Sequence, residues 1–110
     1  MFYNFRQNNS GGSFDFDKTM GITTTVIIEA DSQEDACMKA EAIGIYFNGV
    51  EEGEDCECCG DRWSTPWDDG TETPKIYGKP PLEYNRGWKW QKNDDVEVAI
   101  HYKDGRIEWF

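Results

Sequence analysis

One transition from an extended to a helical pattern constrains the fold of this chain more than any other feature. Residues 23–30 are rich in β-branched side chains, with Val26–Ile28 at their centre. Such a run is typical of a strand, because branched side chains pack well on a pleated surface. Directly after it, Asp31 or Ser32 is a suitable N-cap, and acidic residues follow three positions later, as at many helix starts. The sequence therefore predicts a strand followed at once by a helix.

The helix is predicted to cover about residues 32–47. Its apolar stripe runs through Ala36, Ala40, Ile43 and Phe47, which are spaced as one face of a helix requires. Acidic residues in the first turn favour the helix dipole. Small residues on the stripe allow close approach to a neighbouring layer, so we expect this helix to pack on one face of a sheet.

Alternating patterns at the two ends of the chain predict further strands. Residues 1–7 alternate in a strand-like way, and residues 14–17 are expected to pair back as a short hairpin. Near the other end, residues 96–102 alternate, residues 103–105 provide a turn and residues 107–109 return. This last pattern predicts a C-terminal β-hairpin.

The middle of the chain lacks such periodicity. Residues 50–92 contain all four prolines and four of the five tryptophans, which predicts a long irregular loop with one short strand near 87–91. We therefore expect a single α+β domain over residues 1–110, with an antiparallel or mixed β-sheet and one helix on one face. Because the strand patterns alternate, the second face of the sheet is expected to be wetter.

The charge balance excludes two classes of partner. The chain has 22 acidic and 11 basic residues, for a net charge of −11. Neither a nucleic-acid backbone nor an anionic membrane surface is expected to bind directly, because both attract Lys and Arg. An acidic surface suits a basic patch on another protein, or serves solubility alone. Met1 leads straight into a strand-like segment without a signal-peptide pattern, so we expect a cytosolic protein with reduced thiols.

Three cysteines fall within one acidic loop. Cys56 and Cys59 have the spacing of a zinc knuckle and are followed by a glycine, and Cys58 lies between them. A structural zinc needs four ligands, so the others would be Cys58, Cys37, His101, a carboxylate or the same loop of a second subunit. The last choice would make the protein a homo-oligomer. The alternatives are a zinc-stabilised structural or regulatory module, free thiols in a rigid surface loop and, third, a disulfide.

No pattern in the sequence indicates catalysis. The clustered thiols are surrounded by acidic residues and opposed only by Arg62, which should raise their pKa rather than activate them. The single histidine, His101, falls in a predicted strand, where we expect it to be exposed or half-buried rather than a general base. Carboxylates are too numerous for any one pair to be informative. We therefore expect a protein without enzymatic activity.

Two polar segments are candidates for binding a small ligand such as a nucleotide signal. Their residues are Arg6, Gln7, Asn8, Asn9, Ser10, Asp61, Arg62 and Trp63. The first segment offers amides, hydroxyls and backbone N–H groups, which can cradle a phosphate or a base edge. In the second, an arginine beside an indole can stack on or clamp an anion. Each segment also has a structural interpretation, a hairpin loop for the first and an ion pair with a core anchor for the second.

Two motifs, FRQNNSGGSF at residues 5–14 and DCECCGDRW at residues 55–63, together resemble a family of small, uncharacterised proteins from tailed bacteriophages. The segments 27–49 and 101–105 fit the same pattern. The resemblance implies an accessory protein in the cytoplasm of an infected bacterium, which binds and interferes with a host factor such as a defence component. On this hypothesis the protein contact lies on the acidic loop, at Glu51, Glu52, Glu54, Asp55 and Glu57.

Overall fold

Four strands and one helix make up the regular structure of the described residues. The computed structural model describes residues 1–8, 16–17, 19–55, 60–66, 69–75 and 98–110. The elements in chain order are β1 (Phe2–Arg6), β2 (Thr25–Glu29), α1 (Gln33–Ala42), β3 (Val98–His101) and β4 (Ile107–Trp109). This arrangement confirms the α+β fold and the C-terminal strand pair. Of the strand predicted at 14–17, only residues 16 and 17 are described, and Asp17 forms an isolated antiparallel bridge with Ile22. The short strand predicted near 87–91 lies outside the described residues.

The strands form one mixed sheet in the order β1-β2-β3-β4. The pairs β1–β2 and β3–β4 are antiparallel, whereas β2 and β3 run parallel, with Ile27 opposite Ile100. Antiparallel pairs tolerate short connections, but a parallel pair requires a long crossover. Helix α1 and the long segment after it lie between β2 and β3 in the chain and supply that crossover.

Both faces of the sheet carry apolar clusters. On the helix side, Tyr3 and Phe5 of β1 and Val26 and Ile28 of β2 are buried with Trp63. A second cluster on the opposite face consists of Phe2, Ile27, Val98 and Ile100, with Tyr102 and Phe110 packed against it. The expectation of one wetter face is therefore wrong, because the central parallel strands are buried on both sides, as is usual for parallel pairing.

Helix α1 begins as the sequence predicts and ends earlier. The Ser32 hydroxyl accepts a hydrogen bond from the Asp35 backbone N–H at 3.1 Å, which caps the first turn. Ala36 and Ala40 are buried against the sheet. The helix stops at Ala42 rather than at residue 47, because Gly44 adopts a φ of +110°, a left-handed conformation common just beyond a helix end. No helix in the described part of the chain is long and apolar enough to cross a membrane.

Two described stretches of the predicted loop at 50–92, residues 60–63 and 71–75, lie along the outer edge of β1. Thr71 pairs with Phe2 through two backbone hydrogen bonds of 2.7 and 3.0 Å, and Trp63 forms an isolated bridge with Gln7. Between these bridges, the Asn4 side-chain amide donates to the Lys75 carbonyl at 2.7 Å. The loop therefore protects this sheet edge and carries residues 60–63 to the end of β1.

Candidate functional site

The two motifs singled out in the sequence meet in space at the end of β1. The Asn8 backbone N–H donates to the Arg62 carbonyl at 2.7 Å, and the Asn8 side-chain amide donates to the Asp61 carbonyl at 3.3 Å. With the bridge between Gln7 and Trp63, these contacts join segments more than 50 residues apart in the chain. Five of the predicted ligand-binding residues, Gln7, Asn8, Asp61, Arg62 and Trp63, therefore share one site.

A buried carboxylate lies at the centre of this site. The Asp55 side chain is 1% exposed and forms an ion pair with Arg62, whose Nε lies 3.8 Å from Oδ1. It also accepts hydrogen bonds from the Tyr46 hydroxyl at 2.8 Å and from the Arg62 backbone N–H at 2.7 Å. Burial and the bond to Asp55 both raise the pKa of Tyr46. The phenol therefore stays protonated at neutral pH and donates to Asp55.

Arg62 links this carboxylate to β1. Its Nη1 donates to the Gln7 side-chain oxygen at 3.0 Å, and Gln7 Nε2 in turn donates to the Thr23 carbonyl at 3.1 Å. Gln7 is buried and Arg62 is only 11% exposed at its side chain. The result is a connected chain of polar groups from Tyr46 through Asp55, Arg62 and Gln7 to the backbone just before β2, which we call the Asp55 network.

The turn that precedes Asp55 requires a glycine at position 49. The backbone N–H groups of Glu54 and Asp55 both donate to the Gly49 carbonyl, at 2.7 and 3.0 Å. A Cβ atom at Gly49 would lie 1.8 Å from Asp55 Oδ2 and 2.8 Å from the Tyr46 ring, far inside van der Waals contact. Directly after it, the Val50 N–H donates to the Asp61 carboxylate at 2.9 Å. This turn, residues 49–55, is called the acidic turn below. Hydrogen bonds to the Gly49 carbonyl and to the Asp61 carboxylate hold its base.

Three predicted contact carboxylates are exposed, and one is not. Glu51, Glu52 and Glu54 lie on the surface of the turn, where a partner can reach them. The Asp55 carboxylate does not belong to this surface, because it points inward to Arg62 and Tyr46. Asp61 is exposed as a residue, so its carboxylate adds a negative charge at the base of the same turn.

Arg6 lies apart from this site, and Trp63 joins it through its backbone but not through its ring. Successive side chains of a strand point to opposite faces, so Arg6 projects from the face of β1 opposite to Gln7. Trp63 is 2% exposed and packs in the helix-side core, with no open ring face for a base. The structural interpretation of residues 61–63 predicts an ion pair and a core anchor. Arg62 forms the ion pair and Trp63 is the core anchor.

The cysteine loop itself lies outside the described residues, with Cys56, Glu57, Cys58 and Cys59, and so do Asn9 and Ser10. Among the residues described, no group of three or more His, Cys, Asp or Glu side chains is placed to hold a metal ion. Cys37 is half-buried on α1, and burial raises the pKa of its thiol, with a smaller contribution from Glu41. His101 is also half-buried, as expected.

Sequence reasoning missed Tyr46 and Gly49 as members of the site. Both follow the end of α1, which the sequence prediction placed too late in the chain. A glycine after a helix and a tyrosine beside an acidic segment are ordinary features, so no local signal distinguishes them. Only the fold brings the phenol and the glycine against Asp55.

Comparison with known proteins identifies a family for this chain, but the function of that family is unknown. No curated protein and no solved structure matches this chain significantly. The sequence profile of a domain of unknown function, DUF7296, matches residues 1–110. The match covers the whole sequence, including the strands, the helix and both halves of the Asp55 network. The chain therefore belongs to the DUF7296 family.

Proposed function

We propose that this chain is a binding protein without enzymatic activity, whose acidic turn contacts a basic patch on a partner protein. The contact surface consists of the exposed carboxylates of Glu51, Glu52, Glu54 and Asp61, which we call the acidic turn surface. Complementary charge speeds association and excludes partners of like charge. The overall charge of −11 adds a long-range attraction for a basic partner.

The observation that carries this proposal is that hydrogen bonds hold the acidic turn in place, both within the turn and at its base. Within the turn, the Glu52 N–H donates to the Asn48 carbonyl at 3.0 Å and the Gly53 N–H donates to the Val50 carbonyl at 3.2 Å. At its base, the Asp55 network and the bond from Val50 to Asp61 tie it to β1 and residues 60–63. A surface held in this way loses little conformational entropy on binding, whereas carboxylates that serve only solubility do not need such support.

The finer proposal concerns the partner. The resemblance to tailed-bacteriophage proteins supports a host protein of an infected bacterium, with which this chain interferes in the bacterial cytoplasm, as a counter-defence protein would. A host protein that normally binds nucleic acid has the basic patch that this surface requires. Binding of the acidic turn surface to such a patch would block it by occupation, without any chemical step.

The test is capture of partners from host lysate by the immobilised protein, compared between two triple variants. The first carries Glu51→Gln, Glu52→Gln and Glu54→Gln, and the second carries Glu34→Gln, Glu41→Gln and Glu72→Gln. Each variant removes three negative charges from exposed residues. We expect the first variant to lose the captured protein and the second to retain it.

Binding to the captured protein should also weaken steeply with salt, because exposed charges are screened beyond about 8 Å at physiological ionic strength. Equal loss of binding in both triple variants would assign the attraction to net charge alone. Binding that is unchanged between low and high salt would contradict a contact through the acidic turn surface.

Two alternative functions use other groups. A nucleotide-like ligand would have to engage Arg62 and Gln7. Arg62 already pairs with Asp55 and donates to Gln7, and Gln7 donates to the Thr23 carbonyl. A zinc-stabilised module would use Cys56, Cys58 and Cys59. A native mass spectrum, repeated after denaturation, separates them: extra mass in the nucleotide range supports the first, and the mass of a zinc ion supports the second. A bare polypeptide favours neither.

A further inference from the structure

The two edge strands of the sheet, β1 and β4, differ in the backbone hydrogen bonds that cover them. The outer edge of β1 is covered, since Phe2 exchanges two backbone hydrogen bonds with Thr71 and the Asn8 N–H donates to Arg62. The other edge is β4, the last strand in the sheet order. An uncovered edge strand is a ready template for a strand from another chain.

The backbone hydrogen bonds between β3 and β4 show which N–H and C=O groups of β4 point away from the sheet. Phe110 exchanges two hydrogen bonds with Val98, at 2.8 and 3.1 Å, and the Tyr102 N–H donates to the Arg106 carbonyl at 2.9 Å. In an antiparallel pair, inward and outward residues alternate. Arg106, Glu108 and Phe110 therefore bond toward β3, and the N–H and C=O groups of Ile107 and Trp109 point away from the sheet.

No described residue pairs with these outward groups. The isolated bridges of the described chain join Phe2 to Thr71, Gln7 to Trp63 and Asp17 to Ile22, and none involves β4. Trp109 is 38% exposed at this edge, one of the few large apolar side chains on the surface of the described residues. The chain thus presents two outward backbone pairs and an indole at one place.

We propose that the outer edge of β4 binds an extended segment of another protein as an added antiparallel strand. The partner residues opposite Ile107 and Trp109 exchange hydrogen bonds with them and share their face, so they are apolar. The partner residue between these two projects on the face of Glu108, where a lysine or arginine meets that carboxylate. The occupant is therefore a segment in which basic and apolar residues alternate.

A second copy of this chain fits the edge poorly. The two-fold antiparallel pairing with the greatest overlap sets Ile107 of each copy opposite Trp109 of the other. Glu108 then lies directly opposite the same residue of the second copy, and like charges in that position are destabilising. Each copy also carries a net charge of −11, so the partner must be basic rather than identical.

This strand site is separate from the acidic turn surface. The acidic turn is tied to the end of β1, at one edge of the sheet, and β4 forms the opposite edge. Each surface is tested by its own variants, so failure of one proposal leaves the other in place.

The first experiment measures fluorescence anisotropy with a labelled peptide of alternating valine and lysine. Its twin has N-methylated valines, which keep the charge but lose the N–H groups that face β4. We expect the unmodified peptide to bind roughly tenfold more tightly, as two lost hydrogen bonds imply. Equal binding of the two peptides would reduce the interaction to net charge and overturn the proposal.

The second experiment compares Trp109→Pro with Trp109→Val. Both variants remove the indole, but only proline removes the outward N–H, and proline is tolerated on edge strands. We expect the proline variant to bind the unmodified peptide several-fold more weakly than the valine variant. If the proline variant unfolds, the peptide pair still decides the question on the native protein. A concentration-dependent dimer in sedimentation, abolished by Trp109→Pro, would assign the edge to a second copy and overturn the proposal.

Discussion

Asp55 shows how neighbouring groups decide what one carboxylate does in an acidic segment. Glu51, Glu52 and Glu54 are exposed, whereas the Asp55 side chain is 1% exposed and satisfied by Tyr46 and Arg62. A buried charge is tolerated only when a counter-charge and hydrogen bonds replace its water. Carboxylates of one acidic segment thus either face solvent or pair inside the fold, depending on their neighbours in space.

Replacement of Asp55 by Asn should destabilise the protein strongly. The change leaves the Arg62 guanidinium, 11% exposed, without its counter-charge, and it can turn an amide donor toward the Arg62 N–H. We expect a loss of about 3 kcal/mol in the free energy of unfolding, measured by urea denaturation. The matched control, Glu54→Gln, should change stability by less than about 0.5 kcal/mol. A similar small change for Asp55→Asn would show that the Asp55 network does not stabilise the fold.

His101 should titrate below the ordinary histidine range. Burial lowers its pKa, although its ring nitrogen Nε2 lies 2.8 Å from the Gly21 carbonyl. A Cβ at Gly21 would lie 2.6 Å from the ring, so the turn covers the imidazole closely. Because this is the single histidine of the chain, its NMR signal gives the pKa directly, and a midpoint at or above about 6.5 would contradict the prediction.

The lowered pKa of His101 has a defined effect on stability. The folded state favours the neutral ring, so this contribution is complete above the unfolded pKa of about 6.5 and is lost as pH falls through the folded value. The melting temperature should therefore fall as pH is lowered from 7.5 to 5. In the His101→Gln variant we expect this fall to be smaller. An equal decrease in both proteins would assign the acid sensitivity to carboxylates.

At the scale of elements, helix α1 depends on its ends more than on its length. It has ten residues, which is marginal for an isolated helix in water. The Ser32 cap satisfies a backbone donor at its start, and the Asp35 carboxylate accepts from the Asp31 N–H at 3.2 Å. Burial of Ala36 and Ala40 against the sheet supplies the rest.

Loss of the helix cap should have a measurable cost. We expect Ser32→Ala to lower the free energy of unfolding by about 1 kcal/mol, because the Asp35 N–H loses its partner. Ser64→Ala, at an exposed serine in the loop, is the control and should be close to neutral. Chemical denaturation measures both, and equal stability of the two variants would mean that water replaces the cap without cost.

At the scale of the whole molecule, charge opposes the compact state. The net charge of −11 is carried by 110 residues, and repulsion of this kind weakens with screening. We expect the melting temperature to rise by a few degrees between about 20 and 300 mM NaCl. The variant with Glu51, Glu52 and Glu54 changed to Gln should show a smaller rise. A fall with salt would mean that exposed ion pairs such as Lys39–Asp35 outweigh the repulsion.

The elements could be read from the sequence because their causes are local. The β-branched run of β2, the cap at Ser32 and the turn at residues 103–105 each act over a few neighbouring residues. The end of α1 was predicted too late for the same reason. The apolar spacing continues to Phe47, which still packs on the core after the chain has left the helix at Gly44.

The arrangement of the elements and the candidate site depended on the tertiary structure. Alternation in a strand does not state which strand will be its neighbour, so the parallel pairing of β2 with β3 and the second buried face could not be predicted. The sequence contained both loop motifs but not their contact. Whether Asp55 faces water or Arg62 depends on segments distant in the chain, since burial and charge pairing are properties of neighbours in space.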